Sequence, residues 1–227
     1  MHGDHMDPKL LLTVYYRCTP ETPTDRIREC VDSFAELGVT PQALWELPND
    51  KQTTLTNAFY QTETPYLLVV DGNNWVDPKA IYRALEYLEL FTNDAFCAVR
   101  DSNAYIDGKR KDSRIPDRIT ANDIYIAENR TPRAAVYRVG MARMQLNRMA
   151  DLRFVLFEWA LRCVLANQNG FKILDNIGYF VRKTLDRRGI MPVDLEQGIH
   201  PYQTVQTLVD RQLITLDDKA KKVIGVR

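Results

Sequence analysis

Two acids in this chain stand where an acid is out of place unless it has work to do. Asp71 follows five continuous apolar residues, Tyr66, Leu67, Leu68, Val69 and Val70, a run that reads as a buried, parallel strand. Gly72, Asn73, Asn74, Trp75, Asp77 and Pro78 come next, ahead of a helical pattern. Open α/β sheets bind ligands at the carboxyl ends of their strands, so position alone makes Asp71 a site candidate. A plain turn is the competing reading, since Asp, Gly and Asn dominate turns. Glu158 lies among Phe154, Val155, Leu156, Phe157 and Trp159. Acids are seldom buried unpaired, so Glu158 is either a functional carboxylate or one half of a salt bridge.

The elements that must hold these acids follow from periodicity. Residues 10–16 read as a first strand, residues 17–24 as a Pro-containing loop, and Asp25 as the N-cap of a helix ending at Gly38. A short strand over 42–47 and a helix over 53–62 lead into the 66–70 strand. An amphipathic helix is predicted over 78–91, with Ile81, Leu85 and Leu88 as its apolar stripe. Strands follow at 96–100 and 134–139, a long apolar helix at 152–165, and short strands at 171–174 and 178–181. Residues 101–123 carry Lys109, Arg110, Lys111, Arg114 and Arg118 with no core periodicity, which predicts a long loop or ragged hairpin. Two helices are expected beyond Pro192. The alternation argues an α/β fold on one mixed, mostly parallel sheet. It divides into a tail (1–9), a main domain (10–190) and a helical C-terminal appendage (191–227).

Composition sets outer bounds. At 227 residues, 45% hydrophobic and 26% charged, the chain has enough apolar surface for one packed core. Thirty basic and thirty acidic residues cancel, so no global field draws it to nucleic acid or an anionic membrane. Cys18, Cys30, Cys97 and Cys163 show no paired-ligand spacing, and with no signal-peptide pattern they read as reduced thiols of a cytoplasmic protein. The apolar runs are of strand length, too short to span a bilayer. His2 and His5 fall in the polar tail.

Taken in order, four segments resemble the family 2 glycosyltransferases of GT-A fold. They are the first strand with Tyr15 and Tyr16; Asn57 in Thr-Leu-Thr-Asn-Ala-Phe; the strand ending Asp71-Gly72-Asn73, similar to the family's Asp-x-Asp; and Phe157-Glu158-Trp159 followed by Gly170-Phe171-Lys172-Ile173, similar to its Glu-Asp-Trp helix and succeeding strand. The resemblance implies a nucleotide-binding, Rossmann-like fold and an inverting hexosyltransferase using a nucleotide-sugar donor, UDP-linked by expectation. The donor would be met by Tyr15, Tyr16, Arg17, Glu46 (or Asp50), Asn57, Asp71, Gly72 and Arg182, the last standing in a Tyr-Arg-x-His-like segment. Trp45 reads as core, as aromatics in short strands usually are.

The implied chemistry accounts for these residue types. A leaving diphosphate develops negative charge that Mn²⁺ or Mg²⁺ can neutralise through oxygen ligands, here Asp71 and Asn73, with Asn74 and Asp77 nearby. Asn73 replaces a carboxylate of the family pattern, and Thr184 replaces its histidine. Glu158 takes the place of the base that accepts the acceptor hydroxyl's proton. Lys109, Arg110, Arg114 and Trp159 would face the acceptor. An anionic acceptor is expected, either a lipid phosphate or nucleic acid bearing a hydroxymethylated base, although a solvated charge run is the plainer reading. Two alternatives share the fold class. A sugar nucleotidyltransferase would want glycines after the first strand, where Arg17-Cys18-Thr19-Pro20 has none, and a haloacid-dehalogenase-like phosphatase would want an acid at Asn73. A catalytically inactive nucleotide-sugar-binding module is the third.

Overall fold

The computed structural model describes residues 6–46, 51–105, 110–112, 132–154, 156–183 and 201–224. A single helical turn, α1 (Pro8–Leu11), is capped by the Asp7 carboxylate and delays strand β1 (Leu12–Cys18) by two residues relative to the apolar run. Next come α2 (Thr24–Asp32), a 3-10 turn closed by Gly38 at φ 63°, β2 (Gln42–Trp45) and α3 (Lys51–Gln61). Asp25 lies inside α2 rather than capping it; Pro23 is the cap residue, and Asp25 serves as a first-turn acid on the helix dipole. β3 (Tyr66–Asp71), β4 (Trp75–Val76) and α4 (Pro78–Leu90) follow, with Asp77 capping α4 through the Lys79 amide.

The second half departs further from the pattern. β5 (Asp94–Tyr105) runs well beyond its apolar segment and pairs antiparallel with β6 (Arg110–Asp112), so part of the basic stretch is strand. β7 (Ala134–Arg138) leads straight into α5 (Val139–Arg148), a helix that sequence reading missed because Ala142 and Gln145 occupy its core positions beside Val139 and Leu146. α6 (Phe157–Gln168) starts later than periodicity suggested. The Gln52 side chain holds the extended lead-in, donating to the Leu152 carbonyl at 2.8 Å and accepting from the Phe154 amide at 2.9 Å. The two short strands expected near the end are one, β8 (Gly170–Lys183), which absorbs Asp175 and Asn176 as irregularities in its pairing with β5. Helices α7 (Pro201–Asp210) and α8 (Asp218–Ile224) close the described chain.

The sheet order is β2-β1-β3-β7-β5-β8-β4, with β6 on β5. β1, β2 and β3 are parallel, β7 runs against β3 and β5, β8 is parallel to β5, and β4 runs against β8. Most strands therefore share one direction. Strand alternation splits the interior into two cores. Leu67 and Val69 of β3 enter the first, with Leu55, Phe59, Leu161, Val205 and Leu208 from the helices on that side; Tyr66, Leu68 and Val70 enter the second, against Phe34, Ile81 and Leu85. Burial on both faces is why β3 is apolar without interruption. All four cysteines are buried and unpaired. Among the described residues, no helix is long and apolar enough to cross a membrane.

Candidate functional site

Register and alternation together decide which side chains meet at the carboxyl ends of β1, β2 and β3. Arg17 pairs with Leu44 of β2 and with Asp71 of β3. Tyr15, Leu44 and Val69 pack against the first core, so their neighbours two residues on, Arg17, Glu46 and Asp71, emerge on that same face where the core ends. There they line a cleft of about 400 Å³, closed by Lys51 and Leu55 of α3, Arg133, Tyr179 of β8, and Leu156, Phe157, Glu158, Trp159 and Arg162 at the start of α6. The two acids singled out in the sequence thus line one cleft.

Glu158 is held from three directions. Arg162, one helical turn on, donates to Oε1 at 2.7 Å; the Tyr137 hydroxyl donates to the same oxygen at 3.0 Å; Arg17 reaches Oε2 at 3.2 Å. Burial works against the charge, but Arg162 and Arg17 outweigh it and keep this carboxyl below the usual range. Arg162 is itself 4% exposed, and also donates to the Tyr137 hydroxyl and to the carbonyls of Pro132 and Arg133. Both readings of Glu158 therefore hold in part: it is salt-bridged, and it lines the cleft. Each carboxylate oxygen can accept twice, so Oε2 keeps one acceptor position. Glu46, 3.8 Å from Arg17, shows the opposite balance: burial lifts its carboxyl above the ordinary value, and Arg17 and Lys51 offset this only partly.

Asp71 opens a turn that is also the site's floor. Its Oδ1 accepts from the Asn73 amide at 2.9 Å, and its carbonyl from the Asn74 amide at 2.9 Å. The Tyr179 hydroxyl accepts from the Asp71 amide at 3.0 Å and from Asn74 Nδ2 at 2.8 Å, tying the turn to β8; burial pushes this phenol far up. Gly72 is required by close approach: its amide donates to the Arg17 carbonyl at 2.8 Å, and a Cβ would stand 2.9 Å from that oxygen.

Other expected positions fall elsewhere. Tyr15 is buried in the first core and Tyr16 packs on the second; neither lines the cleft. Asn57 is exposed on α3, on a different face from Lys51 and Leu55. Arg182 pairs with Glu29, donates to the Asn73 carbonyl at 3.3 Å and lies 5.0 Å over the Trp75 ring, outside the cleft wall. Trp45, expected in the core, is 61% exposed, because β2 is the sheet's edge and its neighbour Leu44 takes the inward face. Trp159 is buried and lines the cleft. Arg110 lies in β6, while Asp50, Lys109, Arg114, Arg118 and Thr184 lie outside the described residues.

The oxygen donors expected for Mn²⁺ or Mg²⁺ do not converge. Asp71 and Asn74 line the cleft, but Asn73 does not, and among the described residues the enclosed Asn73 Oδ1 has no hydrogen-bond partner. Asn74 is engaged through both amide atoms, its Oδ1 accepting from the Arg182 amide at 2.9 Å, and the Asp77 carboxylate caps α4. Among the described residues no group of three His, Cys, Asp or Glu side chains is placed to hold a metal. Among the described residues Asp71 and Asn73 therefore do not form the two-oxygen shell that the Asp-x-Asp resemblance implies.

Sequence reasoning did not assign Arg162, Tyr137, Lys51, Arg133 or Tyr179 to the site. Arg162 carried a signal, since Glu158 and Arg162 are spaced as a helical i, i+4 pair. The others carried none.

No family model matches the sequence, and no curated protein matches it. Solved structures do. S. aureus TarS 1–349 aligns at TM-score 0.61 and 12% identity, over 94% of this chain and 69% of that one. The same protein in complex with UDP-GlcNAc gives 0.62 and 13%, over 94% and 70%. In complex with UDP it gives 0.58 and 13%, over 97% and 62%. At these identities the likeness is one of architecture: the chain has a GT-A-like, Rossmann-related α/β fold.

Proposed function

We propose that this protein transfers a sugar from a nucleotide-sugar donor to a hydroxyl acceptor. The observation that carries the reading is that Asp71, at the tip of β3, and Glu158, at the start of α6, line one cleft at the carboxyl ends of parallel strands. The neighbours solved with UDP-GlcNAc and UDP support a donor of that class. In this reading Arg17 and Asp71 meet the donor, and Glu158 takes the acceptor's proton as the hydroxyl oxygen attacks the anomeric carbon with inversion. A carboxylate held below the usual carboxyl range is a weak base at neutral pH. Transfer of the proton then comes late, once the attacking oxygen has become strongly acidic through its new bond. The basic run from Lys109 to Arg118 supports an anionic acceptor, whose binding should weaken steeply with salt.

One observation favours a second reading, an inactive nucleotide-sugar-binding module: three donors already occupy Glu158. A screen of nucleotide sugars, scored by released nucleoside diphosphate with and without an acceptor mixture, separates the two. An active enzyme releases diphosphate at least by slow hydrolysis, whereas the module binds donor and releases none. In the active case Glu158→Gln should lower turnover by about 10²–10⁴-fold while donor still binds. Retained turnover in a folded variant would remove Glu158 from the role of base.

A further inference from the structure

If the cleft takes a nucleoside diphosphate, something must neutralise it, and the described residues at the strand tips do not offer a metal shell. Four cationic side chains line the same wall: Arg17, Lys51, Arg133 and Arg162. Arg162 is committed to Glu158 and to two backbone carbonyls, and Arg17 bridges Glu158 and Glu46. Lys51 and Arg133 differ. Both are exposed, and neither makes an ion pair within 4 Å among the described residues. Among the described residues Arg133 bonds through its backbone: its amide donates to the Asp101 carboxylate at 3.1 Å and its carbonyl accepts from Arg162. Arg133 thus lines the cleft through a backbone that is fixed by bonds not involving its guanidinium. Lys51 opens α3 just after β2, on the opposite side of the strand ends from the segment carrying Arg133.

We infer that Lys51 and Arg133, with Arg17 between them, bind the diphosphate of the donor directly, so that the nucleotide is held without a divalent cation. The inference rests on the donor reading above and deepens it by naming what stands in for the metal. Guanidinium and ammonium groups suit this task because charge-assisted bonds to phosphate oxygens are strong, and arginine can make two at once.

The test is calorimetric titration of UDP and of inorganic pyrophosphate into wild type, Lys51→Ala, Arg133→Ala and the double variant, each in excess EDTA and with Mn²⁺ for the UDP series. The expected result is that wild type binds both probes in EDTA, that Mn²⁺ tightens UDP by less than about threefold, and that each single variant weakens both probes by about tenfold or more. Both side chains are exposed and Arg133→Ala keeps its backbone bonds, so the variants should melt with wild type; circular dichroism checks this. UDP binding that appears only with Mn²⁺ would overturn the inference and leave the donor reading standing. Variants that bind like wild type would overturn the assignment of these two residues. No binding of either probe under any condition, by folded protein, would overturn the donor reading as well.

Discussion

Arg162 is the position where this structure should be most sensitive to one substitution, and Arg162→Met tests why. The side chain is 4% exposed and donates to Glu158, to the Tyr137 hydroxyl and to the carbonyls of Pro132 and Arg133. Methionine fills similar space with none of those donors. The loss leaves a carboxylate that is 19% exposed with Arg17 as its remaining paired cation, and two carbonyls without this donor, a change that costs about 3 kcal/mol and at most about 5. For a chain of this size that is about 6–20 °C in melting temperature. The pH dependence is the sharper reading. Glu158 has a depressed carboxyl in the folded protein, so its contribution is complete above the ordinary carboxyl range and is lost as pH falls through the folded value. Without Arg162, burial raises that carboxyl and the contribution disappears. The deficit of the variant should therefore be largest at neutral pH and shrink below about pH 4. Denaturant unfolding at pH 7 and in the acid range measures both quantities, provided wild type unfolds reversibly. Adding Glu158→Gln to Arg162→Met should recover part of the loss, because the second change removes the stranded charge. A deficit below about 1 kcal/mol, or one independent of pH, or strict additivity of the two changes, would refute the view that this ion pair organises the site.

Two further predictions follow from the cleft wall. The Glu46 carboxyl is raised by burial, so its ionisation opposes folding increasingly as pH rises from about 4.5 to the raised value, while below about 4.5 the group is neutral in both states and contributes nothing. Glu46→Gln should therefore stabilise the protein at pH 7 and lose that advantage as pH falls below the ordinary carboxyl value; equal effects at both pH values would refute this. At Gly72 an added methyl would stand 2.9 Å from the Arg17 carbonyl, between paired strands that cannot separate freely. Gly72→Ala should cost about 1–3 kcal/mol by thermal or denaturant unfolding, and a variant as stable as wild type would show that the strand ends can part.

How much of this was legible beforehand depends on the range of the interaction concerned. β3, β7 and α4 were found close to their bounds because each is fixed by local pattern: continuous apolar residues in strands buried on both faces, and a Pro78 start with a 3.6-residue stripe in α4. α5 escaped because alanine and glutamine occupy its core positions, and β8 was split in two because Asp175 and Asn176 interrupt its apolar run while β5 continues alongside. Trp45 was misplaced since only the sheet order makes β2 an edge.

The same division runs through the site. Sequence alone placed an acid at the end of a doubly buried strand and another within an apolar helix, because burial leaves a one-dimensional trace that an acid visibly breaks. It could not pair them. That Arg17, Glu46 and Asp71 share one face follows from the register of three strands far apart in the chain, and that Glu158 meets Tyr137 and Arg17 follows from the docking of α6. Nor could it single out Lys51 and Arg133 among thirty basic residues, since a cation in a cleft and a cation in open solvent are written with the same letters. Composition records what each residue can do; only the folded sheet brings charges remote in sequence to within a few ångströms, where Coulomb energy and desolvation act on them.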